Sequence, residues 1–220
     1  HPDWEDRDRF ILSKGHASLG YYAALAQRGY FPIEELETFD REDSALQAHP
    51  DIHKCKGVDF STGSLGQGLS IGVGIALGAL KKNKRIRTIV LLGDGECQEG
   101  QVWEAAMFAG SNHIPKLIAI VDYNKVQLSN RVDENISLEP FAFKWEAFGW
   151  NVLSVDGHDI AELLSALSRA DHLSEQGPVV VIANTIKGKG VSFMEGKFEW
   201  HGKAPNDQEY IEALKELNLR

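Results

Sequence analysis

The chain has 220 residues, 43% hydrophobic and 25% charged, enough to bury a sizeable core and in keeping with one large domain rather than two small ones. A net charge of −9 with no compensating Lys/Arg cluster argues against nucleic acid as a partner. Two cysteines, Cys55 and Cys97, lie far apart without metal-ligand spacing, so a reduced, cytoplasmic protein is expected.

No stretch is long and apolar enough to span a bilayer, so no membrane association is expected. The best, Leu65 to Leu80, is interrupted by Gln67 and Ser70 and carries Gly66, Gly68, Gly72, Gly74 and Gly78. The opening His1-Pro2-Asp3-Trp4, followed by Glu5, Asp6, Arg7, Asp8 and Arg9, is unlike a secretory leader, and without an initiator Met the protein is expected to start earlier.

In chain order, DRFILSKG from Asp8 to Gly15 reads as a short strand ending in a turn, then a helix from about Ala17 to Arg28 that Gly29 stops. His16 falls near that helix N-terminus, where it can be a cap, a surface group or a working imidazole. A short helix follows Pro32, from Ile33 to Phe39. Asp40 to Asp59 has little periodicity and is expected to be a long loop of the functional or mobile kind, holding His49 and His53. Ser61 to Gly68 (STGSLGQG) leads into a Gly/Ala-rich helix to about Lys82, with Ser61, Thr62 or Ser64 as its cap. Its small side chains let another backbone, a cofactor or a second chain come close. No dinucleotide fingerprint is present, because Gly66 and Gly68 follow no strand. Lys81, Lys82, Lys84, Arg85 and Arg87 sit between helix and strand and read as a solvated face.

Arg87 to Val126 says most about chemistry. Thr88 to Leu92 reads as a parallel strand buried on both faces, stopping at Gly93-Asp94-Gly95. Leu117 to Val121 stops at Asp122-Tyr123-Asn124, which puts Asn124 at a strand end about thirty residues after Asp94. With a helix from Gln101 to Ala109 between them, presenting Val102, Ala105, Ala106 and Ala109 on one face, the span is one βαβ unit. Asp94 then lies at the carboxyl edge of a sheet beside free N–H groups, a setting for phosphate and Mg²⁺. Gly-Asp-Gly can also be a plain turn.

A polar stretch to Glu139, a helix from about Pro140 to Phe148, a strand from Trp150 to Val155 and a helix from Ile160 to Leu173 capped by Asp159 come next. Val179 to Ala183 is another buried strand. The loop Asn184 to Gly190 is Lys-rich but lacks the G-x-x-x-x-G-K-[ST] phosphate-loop pattern. Gln208 to Leu217 is a last amphipathic helix. Strands and helices alternate, so the expected fold class is α/β, a parallel β-sheet flanked by helices.

These motifs resemble, in the same order, those of the transketolase family. Gly-Asp-Gly with a strand-terminal Asn resembles the thiamine diphosphate signature of transketolases and related enzymes. The resemblance implies that Asp94, Asn124 and the carbonyl of Val126 hold Mg²⁺, for which Ca²⁺ or Mn²⁺ can substitute, and that Gly95 and Asn124 contact the cofactor. DRFILSKGHASLGYYAALAQRGYF implies that His16 touches the diphosphate and the substrate. His49-Pro50 resembles a second active-site His, with Ala48 in place of the usual Gly; His53 has no counterpart. TGSLGQG resembles TTGPLGQG, which implies that Gly63 contacts the aminopyrimidine and Leu65 the thiazolium. Glu99 matches a subunit-interface glutamate that links the cofactor to its partner site; an exposed first-turn Glu favoured by the helix dipole is the other reading. Glu96 and Glu104 are assigned no role. TIKGKG resembles T-x-x-GKG, and VDGHD is common in these enzymes, with His158 read as structural. His201-Gly202-Lys203-Ala204-Pro205 resembles H-G-A-P with a Lys inserted, which implies that His201 contacts diphosphate and substrate. The family usually has Arg after the Phe matching Phe39. Here Asp40 stands there, followed by Arg41, an acidic group where a phosphosugar approaches.

The resemblance implies a thiamine diphosphate-binding fold, the PP domain, over residues 1–205, with 206–220 as a C-terminal helix and His16, His49 and His201 as catalytic groups. The implied reaction moves a two-carbon ketol unit from a ketose phosphate to an aldose phosphate, as in the pentose phosphate pathway. In the family the glutamate and aromatic pocket that hold the aminopyrimidine belong to the next domain, and no stretch here resembles either. The chain is therefore expected to be the N-terminal subunit of a split transketolase, completed by a C-terminal subunit in a 2+2 hetero-oligomer. The alternatives are another thiamine diphosphate-dependent carboligase and a non-catalytic cofactor-binding or regulatory subunit. SKGH with HGKAP speaks against the first, and the retained Asp94, Asn124 and three histidines against the second.

Overall fold

The apolar runs form five strands, β1 (Arg9–Leu12), β2 (Thr88–Gly93), β3 (Leu117–Tyr123), β4 (Asn151–Asp156) and β5 (Val179–Asn184), in a sheet of order β1-β2-β3-β5-β4. Every pairing is parallel. The computed structural model describes residues 3–218; the outermost residues of the expected domain ranges, 1–2 and 219–220, lie outside the described residues.

The connections carry α1 (Ser18–Gln27), α2 (Gln67–Lys81), α3 (Gly100–Ser111), the short α4 (Val132–Asn135), α5 (Phe141–Ala147) and α6 (Ile160–Leu173), and α7 (Asp207–Glu216) closes the chain. Strand β3 shows why its residues are apolar without alternation. Leu117, Ala119 and Val121 pack on one side against α2, α3 and α5, whereas Ile118 and Ile120 pack on the other with Ala166 and Ala170 of α6. The split of helices follows from the topology. The chain steps in one direction through β1, β2 and β3 to the edge strand β4, then turns back to insert β5, so α6 crosses the face opposite to α2, α3 and α5.

A satellite cluster of Tyr22, Leu25, Leu46, Cys55 and Val58 ties α1 to the segment that follows it. One turn apart on α1, Ser18 Oγ donates to the Ala48 carbonyl (2.7 Å) and Tyr22 Oη to that of Gln47 (2.9 Å). The expected long loop has no regular element between Asp40 and Asp59, yet its backbone is pinned beside His49.

Several local expectations are corrected. The short helix expected after Pro32 is present as the 3-10 helix Ile33–Thr38, one residue shorter than read. None of Ser61, Thr62 and Ser64 caps α2, whose N-cap is Gly66 in the left-handed region at φ +82° with no side-chain cap. Glu99 is the N-cap residue of α3 rather than a first-turn residue. Asp159 does cap α6, accepting from Ala161 N–H and Glu162 N–H. Both cysteines are buried and unpaired, and among the described residues no helix is long and apolar enough to cross a membrane.

Candidate functional site

The carboxyl ends of β1, β2, β3 and β5 lie side by side, and each delivers a polar group as its strand stops. β2 runs into Asp94, which is 2% exposed. Its Oδ1 accepts from Gly95 N–H at 2.7 Å and its Oδ2 from Lys125 N–H, so the ends of β2 and β3 meet at this carboxylate. Burial pushes Asp94 up to about 6; the Lys125 and Gly95 N–H groups pull it down and Asp122 opposes them.

Asp122, near the end of β3, gathers two other segments and the residue that follows its own strand. Lys14 Nζ, from the turn after β1, donates to Oδ2 at 2.7 Å, and Thr185 Oγ1, after β5, donates to Oδ1. Asn124 Nδ2 also donates to Oδ2, at 3.2 Å, and Asn124 Oδ1 accepts from Val126 N–H at 3.0 Å. Burial raises Asp122, but the Lys14 charge and these hydrogen bonds bring it below the usual carboxylate range. The amide of Asn124 is thereby oriented, its oxygen on the Val126 side.

The histidines arrive from distant segments. His16 and His201 pack ring against ring at 5.1 Å between centroids. His16 is lowered to about 4, by loss of hydration around the ring first and then by repulsion from Lys14, His201, Lys187 and His49, although the residue as a whole is exposed. His201 is lowered too, by burial and then by Lys187 and Lys14. Lys187 is itself lowered by burial and by Lys14, with Asp122 and Asp94 opposing. His49 lies along Gly63, where an added Cβ would meet its ring at 3.1 Å. His53 is exposed and away from these contacts, and His158 accepts from Ile186 N–H at 2.7 Å, the structural role expected of it.

Backbone close approach locks the glycine segments together. A Cβ on Gly15 would lie 2.8 Å from Gly63 N, and one on Gly66 would lie 2.8 Å from the Cβ of Glu99. Leu65 is exposed beside Gly66, and Glu99 is exposed at the start of α3. The fold thus brings His16, His201, His49 and Gly63 into one neighbourhood, and Asp94, Gly95, Asn124 and Val126 into an adjoining one.

A match to the model of the family "Transketolase, thiamine diphosphate binding domain" spans residues 1–218. The chain belongs to the transketolase family. It is 46% identical over 99% of its length to the 6-deoxy-6-sulfo-D-fructose transketolase subunit of Clostridium sp. (strain MSTE9), covering 78% of that protein. It is 45% identical over 96% of its length to an apulose-4-phosphate transketolase subunit of Actinobacillus succinogenes, covering 76% of it. The crystal structure of the transketolase from Campylobacter jejuni superimposes on the whole chain with a TM-score of 0.92 at 33% identity. The chain spans about a third, 35%, of that transketolase.

The residues fit the cofactor that names this transketolase domain. Among the described residues no cluster of three or more His, Cys, Asp or Glu side chains could hold a metal ion. The set Asp94, Asn124 and Val126 offers one carboxylate, one amide oxygen and one carbonyl, which suits a hard cation that takes its remaining oxygens from phosphate and water. His201 Nδ1, Thr62 Oγ1 and Gln127 Oε1 are buried without a protein partner, and all three lie in segments that build this edge. Lys14, Asp122, Thr185, Lys187 and Glu96 are groups that motif reading passes over. The signal available for Asp122 was a carboxylate in the last turn of an otherwise apolar strand, and for Lys14 and Lys187 a lysine in each of two glycine-containing turns.

Proposed function

We propose that this chain is the diphosphate-binding, N-terminal half of a cytoplasmic transketolase, which moves a two-carbon ketol unit from a ketose donor to an aldose acceptor with thiamine diphosphate and Mg²⁺. The observation that carries the reading is the meeting of Asp94, the Asp122-Asn124 pair, Lys14, Lys187 and the His16-His201 pair at one edge of the sheet. When bound, thiamine diphosphate supplies the nucleophilic carbon that takes up the ketol unit.

In this reading Asp94, Asn124 and the Val126 carbonyl hold Mg²⁺, with Ca²⁺ or Mn²⁺ as substitutes. Lys14, Lys187 and His201 balance the diphosphate charge, and Gly95 lets it approach the backbone. Gly63 and Leu65 face the two rings, and Glu99 links the site to the subunit interface. His16, His49 and His201 hydrogen-bond substrate hydroxyls and move their protons. A His16 that stays neutral at pH 7 keeps one nitrogen to accept and one to donate. Residues 1–205 form the cofactor domain and 206–220 an appended helical segment. The glutamate and aromatic pocket for the aminopyrimidine come from a C-terminal subunit, two copies of each chain making the assembly.

The named substrates of the two relatives, a sulfonated ketose and a ketose phosphate, support an anionic sugar as donor. The exposed Asp40 bears on that choice, since it stands where the family resemblance places an Arg. The test mixes the purified chain with the pyrimidine-binding chain, thiamine diphosphate and Mg²⁺ and assays ketol transfer from phosphorylated, sulfonated and neutral ketoses. Turnover is expected only with all four components. Cofactor binding without turnover on any donor would leave a binding subunit instead of an enzyme half.

A further inference from the structure

Glu96, two residues beyond Asp94, is only 3% exposed, and its carboxylate is filled by donors from three separate segments. Oε1 accepts from Ser13 Oγ and from Gly66 N–H at 2.9 Å, and Oε2 accepts from Gly93 N–H at 3.0 Å. A carboxylate is buried at a cost unless its lone pairs are occupied, so this one persists because all three donors reach it together.

Each donor adjoins a group of the site described above. Ser13 opens the turn that presents Lys14 and His16, Gly66 closes the turn that presents Gly63 and Leu65, and Gly93 precedes Asp94. Gly66 is also the N-cap of α2, which has no side-chain cap of its own, so Glu96 reaches across from the turn after β2 to supply the acceptor and the negative charge that this helix end favours. A Cβ at Gly66 would strike Glu99, so a shift of this turn is transmitted to both Leu65 and Glu99.

We propose that Glu96 is a positioning residue that holds the His16, Leu65 and Asp94 segments in register for one ligand. The inference rests on the cofactor reading above. A Gln at this place keeps the shape but can only accept at one end, and its NH2 would face a donor, so at least one of the three segments is released.

The test compares wild type, Glu96→Gln and Ser13→Ala, each with the pyrimidine-binding chain and Mg²⁺, by calorimetric titration with thiamine diphosphate and by competition with inorganic diphosphate. Circular dichroism at the same temperature establishes that each variant is folded. Glu96→Gln is expected to weaken thiamine diphosphate by roughly 10–100-fold, the range for a supporting residue behind a direct ligand. Inorganic diphosphate should be weakened several-fold less, because it has no rings for the Gly63 and Leu65 turn, held through Gly66, to meet. Ser13→Ala should move affinity the same way by a smaller factor. A folded Glu96→Gln chain that binds thiamine diphosphate like wild type, or that loses both ligands equally, overturns the positioning role. If Glu96→Gln does not fold, unchanged affinity in Ser13→Ala overturns it. Wild type that fails to bind thiamine diphosphate removes the cofactor reading and this inference with it.

Discussion

The rings of His16 and His201 lie 5.1 Å apart at a tilt of 31°, one carried by the turn after β1 and the other by the loop that precedes α7. Two imidazoles this close, with Lys14 and Lys187 nearby, disfavour the protonated form of either. His16 is held at about 4 in the folded chain against 6.5 when free. As pH falls below 6.5 the unfolded chain takes up a proton that the folded chain refuses, so this residue lowers stability progressively between 6.5 and 4 and contributes nothing above that window. His16→Asn removes the effect, and the variant should lose less stability than wild type between pH 7 and pH 4.5 in urea denaturation. Equal losses would mean that His16 titrates as a free imidazole.

Asp94→Ala should abolish Mg²⁺-dependent binding of thiamine diphosphate, a loss larger than the roughly 10–100-fold typical of residues that merely support a ligand. Titration calorimetry with and without Mg²⁺ reads it directly. Tight, Mg²⁺-dependent binding that survives the substitution would rule out Asp94 as a metal ligand.

Asp122→Ala leaves Lys14, whose side chain is 12% exposed, without its 2.7 Å counter-charge and frees the Asn124 amide. Because Asp122 is itself 29% exposed, the expected loss is about 1–3 kcal/mol, below that of a fully buried pair. An unfolding free energy from urea denaturation that falls by less than about 0.5 kcal/mol would show that water compensates the pair.

Two glycines of one helix, its N-cap and a mid-helix position, should respond with opposite signs. Gly66→Ala forces a side chain onto a residue at φ +82° and against Glu99, at about 1–3 kcal/mol. Gly74→Ala, inside α2 with nothing within 4 Å of the new Cβ, should stabilise the isolated chain by about 0.5–1 kcal/mol. Thermal unfolding of the two variants side by side checks both, and a stabilised Gly66→Ala would contradict the close approach of α2 and Glu99.

The strands were legible because burial on both faces leaves an unbroken apolar run, whatever the neighbours. Thr88 to Leu92, Leu117 to Val121 and Val179 to Ala183 each fall within a strand that extends one or two residues further. Asp159 was legible as a cap because an N-cap works on its own backbone, two and three residues away. Asp94 and Asn124 were legible because a strand-ending loop places them wherever the strand is.

The tertiary structure alone decided the rest. Nothing local in Val179–Asn184 states that β5 inserts between β3 and β4, which is what brings Thr185 to Asp122. Nothing local in Gly95–Gln98 states that Glu96 turns inward to Ser13 and Gly66, nor that Gly66 rather than a neighbouring serine begins α2. Hydrophobic period and capping report interactions within a few residues of the chain. Pairings such as Lys14 with Asp122 and His16 with His201 exist only after parallel crossovers have set distant strand ends side by side, and so they had to be seen in three dimensions.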